Sequence, residues 1–165
     1  MTELSGAIVP RPGDFSADPL LEVRGLTVQA GPAEQPLTLV EDVSLRIRRG
    51  ETLGMVGETG SGKSVTAMSI GGLLPPGVRV TNGSVHFDGR DLLAADDAEL
   101  RSVRGSQIGF VFQDPQNSLD PVFSVGSQLI EAIRAHQPMT RPAARAHATE
   151  LLHRVGIANP AKRMS

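Results

Sequence analysis

The sequence contains no cysteine, no tryptophan and no tyrosine. Without Cys there is no disulfide scaffold, no thiolate metal site and no cysteine nucleophile. Five Phe are the only aromatics, 3% of the chain, too few for a surface that holds nucleic acid by stacking its bases. An excess of one charge is missing too: 16 Lys+Arg stand against 18 Asp+Glu, a formal net charge of −2. No general field therefore draws in DNA or RNA, and no nucleic-acid partner is expected. Lysine is scarce, with Lys63 and Lys162 the only two, so the position of each carries information. No run approaches the ~20 apolar residues of a membrane span. Met1 to Leu20 lacks the basic-then-apolar order of a secretory signal. The expectation is a protein made and kept in the cytoplasm.

What is present suits one soluble globular domain: 165 residues, 39% hydrophobic and 21% charged. Residues 1–19, with Pro10, Pro12, Pro19, Gly6 and Gly13, read as a flexible tail. Leu21, Val23, Leu26 and Val28 then read as one strand, or as two short ones broken at Gly25. Leu37 to Ile47 reads as a further strand, with Val43, Leu45 and Ile47 alternating against polar residues. Thr52 to Val56 and Ile108 to Phe112 are short apolar runs, the pattern of strands buried on both faces of a parallel sheet. A helix is expected after Gly62 as far as Leu74, stopped by Pro75 and Pro76. Gly83 to Gly89 reads as a strand entering a turn, and Asp96 to Val103 as a short helix with an acidic first turn. Two amphipathic helices follow. Val125, Leu129, Ile130 and Ile133 mark the face of the first; Ala144, Ala148, Leu151, Leu152 and Val155 mark the second, with Gly156 as its C-terminal cap. No element is expected beyond it.

The sharpest signal is Gly57-Glu58-Thr59-Gly60-Ser61-Gly62-Lys63-Ser64, which fits G-x-x-x-x-G-K-[ST]. Glycines let the backbone wrap a phosphate closely. Successive N–H groups then form an anion nest at a helix N-terminus, continuing to Val65. Lys63 reaches the β- and γ-phosphates, and the Ser64 hydroxyl binds Mg²⁺. The preceding apolar run and the following helical pattern are the context the motif needs. ATP and Mg²⁺ are the expected ligands. The four His show no metal-ligand spacing and read as solvated surface groups.

A phosphate loop does not choose among kinases, GTPases, helicases and transporters. Phe110-Val-Phe-Gln-Asp-Pro-Gln-Asn-Ser-Leu-Asp-Pro121 narrows the choice, because it resembles the Q-loop of ABC transporter ATPases. The Asp-Pro-x-x-Ser-Leu-x-Pro run at 114–121 is similar to that of the subfamily driving import of dipeptides, oligopeptides or nickel. Gly57 to Met68, Arg104 to Ile108 and Leu151 to Pro160 resemble the same subfamily, so the likeness covers about Leu20 to Ser165.

The resemblance implies an α/β P-loop NTPase fold of the ABC type, with an N-terminal antiparallel β region and the start of a helical subdomain. The β region and P-loop core would span 20–113, and the Q-loop with the helical start 113–165. Gln113 would be the Q-loop glutamine, coordinating Mg²⁺ or orienting the attacking water and sensing the nucleotide. The loop 114–124 and the helix after it would form part of a groove for the permease's cytoplasmic coupling helix. Implied partners are transmembrane permease subunits, a second ABC ATPase subunit and, indirectly, an extracytoplasmic substrate-binding protein. The place of action would be the cytoplasmic face of the cell membrane.

Two departures from the pattern stand out. Thr27-Val-Gln-Ala30 lacks the aromatic residue that stacks on adenine in the family, so Val28 or Val40 is expected to take its place. The signature segment, the Walker B acids and the switch His do not occur in these residues, so the chain reads as truncated. It is expected to bind nucleotide with little hydrolysis. Leu39-Val-Glu-Asp42 and Phe110-Val-Phe-Gln-Asp114 imitate a Walker B strand weakly. A non-hydrolysing nucleotide-binding remnant and a small P-loop kinase using Asp114 are the alternative readings.

Overall fold

In the computed structural model, which describes residues 18–112 and 118–164, the apolar alternation from Leu21 builds one strand, β1, Leu21–Ala30. Its neighbours are β2, Leu37–Ile47, and β3, Val78–Phe87. With the two-residue β4, Arg90–Asp91, they form a sheet of order β2-β1-β3-β4 whose paired strands all run antiparallel. The break at Gly25 is a bulge, not an interruption. Val23 pairs with Leu45 and Leu26 with Val43, so β1 spends three residues where β2 spends two. The same surplus appears on the other side, where Arg24 pairs with Ser84 and Thr27 with Asn82. The extra residue, Gly25 at φ 57°, keeps Leu26 and Val28 on the face that Val23 occupies. An opposite surplus on β2, at Asp42 with φ 48°, brings the strands back into step. Val23, Leu26, Val28, Val40, Leu45, Val85, Phe87 and Leu92 are all buried.

On the other face of β1, Glu22 lies opposite Arg46 and accepts a 3.0 Å hydrogen bond from its Nε, while Arg24 approaches to 2.8 Å. The Arg46 hydrogen bond, helped by Arg24, holds the Glu22 carboxyl below its ordinary value against an opposing desolvation effect. A lowered folded-state pKa means that the stabilisation is complete above the unfolded value of about 4.3. It is lost as pH falls through the folded pKa. Glu22→Gln is therefore expected to flatten the acid limb of the stability profile. Its cost at neutral pH should be no more than about 1 kcal/mol, because both arginines are solvated. Urea midpoints measured from pH 2.5 to 7 check this; an unchanged acid limb would refute the pairing.

Contacts divide the chain into two compact units, Met1–Leu100 and Arg101–Ser165. In the first, helix α1, Lys63–Ile70, lies against β1 and β2. It ends before the expected stop at the prolines. Gly72 at φ 61° takes the left-handed position, and the bonds Leu73 N–H to Met68 O and Gly72 N–H to Ser69 O close a Schellman cap. Helix α2, Asp97–Val103, begins with a reciprocal capping box. Asp96 accepts from the N–H groups of Ala98 and Glu99, and Glu99 accepts from the N–H of Asp96.

The second unit contains α3, Val125–His136, α4, Arg141–Arg154, and the short α5, Pro160–Arg163. Ile130, Ala144, Ala148 and Met164 form its core, with Leu129, Ile133, Met139 and Leu152 packed around them. The expected faces of α3 and α4 are present except for Val155, which is 74% exposed because α4 ends before it. Gly156 supplies the cap at φ 81°. The final turn and the buried Met164 correct the expectation that no element follows α4.

The two apolar runs expected as buried strands are corrected more strongly. Neither Thr52–Val56 nor Ile108–Phe112 joins the sheet; Ile108 makes only an isolated parallel bridge to Arg104, which lies outside the strands. Val56 is 97% and Val111 101% exposed. A run that is apolar on both faces needs a strand along each edge and a layer over each face. None of the four strands pairs with either run, so the hydrophobic pattern is present without its burial.

Candidate functional site

The motif at 57–64 lies in the first unit, running from the end of the 52–56 run into the first two residues of α1. Gly60 and Gly62 adopt φ 86° and 85°, a left-handed conformation that side chains strain against. Space restricts Gly62 as well: a Cβ there would stand 2.9 Å from the Leu39 carbonyl oxygen and 3.0 Å from Val40 Cγ2. The loop is thus pressed onto β2 by a residue with no side chain. At Gly57 a Cβ would meet the Ser61 hydroxyl at 2.7 Å. A turn closed by Ser61 N–H to Glu58 O, 3.2 Å, gives the loop its curl.

Lys63 opens the helix and folds back over the loop. Its Nζ donates to Gly57 O at 2.8 Å, to Glu58 O at 2.7 Å and to Ser61 Oγ at 3.1 Å. All three ammonium protons are therefore directed at the loop, placing a fixed positive charge among its backbone groups. Gly62 caps α1 without any side-chain bond to the helix start. The N–H groups of Lys63, Ser64 and Val65 precede the first helical hydrogen bond, Thr66 N–H to Gly62 O at 2.8 Å. Thr59 and Ser64 are exposed, Val65 half-buried, and Glu58 points its backbone carbonyl at Lys63.

Two residues that the sequence reading passes over hold this helix start. Thr66 and Ser69 are 2% and 1% exposed, and their hydroxyls donate to Gly62 O and Val65 O. Hydroxyl residues on the buried side of the first turns are the signal that could have found them.

The geometry fits a polyphosphate. It combines a backbone cradle that a Cβ would fill, an uncapped helix start and one ammonium held among the loop's carbonyls. For a divalent cation the fit is narrower. Ser64 offers an accessible hydroxyl, and among the described residues no three His, Asp or Glu side chains are grouped to hold a metal. A cation here would depend on phosphate oxygens for most of its ligands. Gln113 and Asp114 lie outside the described residues, as do residues 1–17 of the expected tail.

The expected adenine supports are corrected. Val28 is 0% and Val40 5% exposed, because both face the core of the sheet, so neither offers a surface to a base. Glu41 and Asp42, the acids of the first Walker B imitation, are exposed on β2, and Asp42 occupies the bulge. The histidines are not uniformly solvated. His86 and His147 are half-buried, and the His86 Nδ1 is buried without a hydrogen-bond partner.

The model of the ABC transporter family matches residues 40–165. The chain is 48% identical over 146 residues to the oligopeptide transport ATP-binding protein OppD of Mycobacterium tuberculosis, covering 88% of this chain and 24% of that protein. It is 40% identical over 145 residues to the dipeptide transport ATP-binding protein DppD of Escherichia coli, covering 88% and 44%. Among solved structures, the ATP-binding cassette MJ0796, a dimer in a post-hydrolysis state with ADP and Pi, superposes with a TM-score of 0.69 at 29% identity. That alignment covers 81% of this chain and 56% of the cassette. The chain therefore spans less than half the length of these curated relatives.

Proposed function

Because the chain belongs to the ABC transporter family, we propose that it is the phosphate-binding portion of an ATP-binding subunit that drives import of dipeptides or oligopeptides. The loop at 57–64 carries this reading, with Lys63 held by three bonds among its backbone groups and Gly62 pressed onto β2. The printed roles of the relatives, oligopeptide and dipeptide transport, support the cargo class.

The residues divide the work as follows. Gly57, Glu58, Thr59, Gly60, Ser61 and Gly62 present backbone to the β-phosphate. The N–H groups of Lys63, Ser64 and Val65 face the phosphates from the helix start. The Lys63 ammonium exchanges its loop oxygens for β- and γ-phosphate oxygens, so the charge is preorganised before ligand arrives. Mg²⁺ would spread the phosphate charge, and the Ser64 hydroxyl and the Gln113 amide would be the residues that hold it. Gln113 and the loop 114–124 pass the state of the nucleotide to the permease. A second ABC ATPase subunit completes the site, and an extracytoplasmic binding protein delivers cargo. Residues 20–113 form the nucleotide-facing portion and 113–165 the permease-facing portion, with 1–19 as a tail. Among the described residues no helix is long and apolar enough to cross a membrane. The proposed place of action, against the permease, is the cytoplasmic face of the membrane.

On this reading the stretch binds nucleotide and turns it over little, and among the described residues no three His, Asp or Glu side chains are grouped at the cradle. Calorimetry with Mg·ATP, Mg·GTP, ADP and AMP tests the reading. ATP and ADP should bind well and AMP at least tenfold more weakly, because the phosphates carry the affinity. GTP should bind within a few-fold of ATP, since neither Val28 nor Val40 faces a base. Equal binding of AMP would remove the phosphate assignment, and steady ATP turnover abolished by Lys63→Ala would remove the claim of low hydrolysis.

A further inference from the structure

We propose that the Glu58 side chain makes the cradle selective for magnesium-complexed over metal-free nucleotide, by setting an unpaired carboxylate beside the phosphates. This role rests on the function proposed above, and it sets one residue of the loop against the ligand's charge. The backbone of Glu58 is fixed, because its carbonyl oxygen accepts from the Lys63 ammonium at 2.7 Å and from the Ser61 N–H at 3.2 Å. The carboxylate therefore stays within one side-chain length of the backbone that holds the ammonium. It is exposed. The ion pairs of the described residues all involve Glu22 or Asp88, so none of them neutralises it. Lys63 and Glu58 are the only charged residues from Gly57 to Ile70, and their formal charges cancel.

The surroundings carry the same sign as Glu58. Gly62 is pressed against Leu39 and Val40 of β2, and the next two residues of that strand, Glu41 and Asp42, are both exposed. From Asp18 to Leu100, twelve Asp+Glu stand against seven Lys+Arg. A polyphosphate thus enters a cradle whose backbone donors attract it and whose neighbouring carboxylates repel it. The attraction comes from N–H dipoles and acts at contact. The repulsion reaches farther and grows with the whole charge of the ligand. At neutral pH metal-free ATP carries roughly twice the negative charge of Mg·ATP. The penalty from Glu58 is therefore roughly twice as large for the metal-free form. An uncharged side chain at 58 would leave the N–H donors in place and lessen that difference.

The test is calorimetry on the full 165-residue chain, with Mg·ATP and with ATP in EDTA, at low salt and at about 0.5 M salt. At low salt Glu58→Gln should bind Mg·ATP about threefold and metal-free ATP about tenfold more tightly than the unsubstituted chain, because the gain scales with ligand charge. Both gains should shrink at high salt, where exposed charges are screened. Glu58→Asp keeps the charge and should keep the preference for Mg·ATP. Thermal melts of both variants should match that of the unsubstituted chain, since the side chain is exposed. An equal gain for the two forms, no gain for either, or gains that survive high salt overturn the proposal. A loss of affinity confined to Mg·ATP would make Glu58 a metal-binding group and overturn it as well. An unsubstituted chain that binds neither form of ATP nor ADP would bring down the nucleotide reading, and this role with it. An unchanged preference in a Glu58→Gln chain that does bind ATP would overturn the role of Glu58 alone.

Discussion

Lys63→Ala is expected to lower the affinity for Mg·ATP by about a hundredfold, the size expected when two charge-assisted bonds to phosphate are lost. The structure gives a reason for the large effect. The ammonium makes three hydrogen bonds, to Gly57 O, Glu58 O and Ser61 Oγ. Removing it deletes the charge proposed to meet the phosphates and leaves the Gly57 and Glu58 carbonyls without that donor. Lys63→Arg should recover little, because a planar fork cannot stand in for a compact ammonium inside so small a loop. The fold should be barely affected, since the loop around Lys63 is largely exposed. Calorimetric titration with a parallel thermal melt separates the two effects. A loss below threefold in ATP affinity, with the melt unchanged, would mean that Lys63 does not face the phosphates.

Gly83→Ala is expected to destabilise the sheet by about 3 kcal/mol or more, combining left-handed strain with overpacking. Gly83 has φ 99° and lies opposite the Gly25 bulge. A Cβ on it would stand 2.6 Å from the carbonyl oxygens of both Arg24 and Gly25. Those atoms are backbone, fixed on both sides by β2 and β3, so they cannot yield as a flexible side chain would. Gly77 is the control. It has φ 80° but nothing within 4 Å of its Cβ. Gly77→Ala should show the backbone strain alone, about 1 kcal/mol. Urea unfolding of the two variants gives the comparison, and equal losses would show that the bulge does not crowd Gly83.

Much of the local structure was legible because its causes are local. The alternation at Leu37–Ile47, the acidic helix start at Asp96 and the glycine after α4 each act over a few residues. All three appear as strand, capping box and cap. The length of α1 was misjudged because Gly72 competes with Pro75 as a stop, and the nearer signal acts first. The exposed Val56 and Val111 have another cause. An apolar run states which neighbours a strand needs, not whether they are present, and burial depends on chain far away in sequence.

The sequence by itself determined the loop at 57–64. The order of glycines, lysine and serine dictates which backbone can curl and where a charge and a hydroxyl fall, and these are properties of eight neighbouring residues. It also determined the family, through the run at 110–121. Only the tertiary structure decided that Gly62 is held against Leu39 and Val40, and that Val28 and Val40 are closed to a base. Each of these depends on which surfaces meet when separate elements pack, and sequence spacing does not encode that distance.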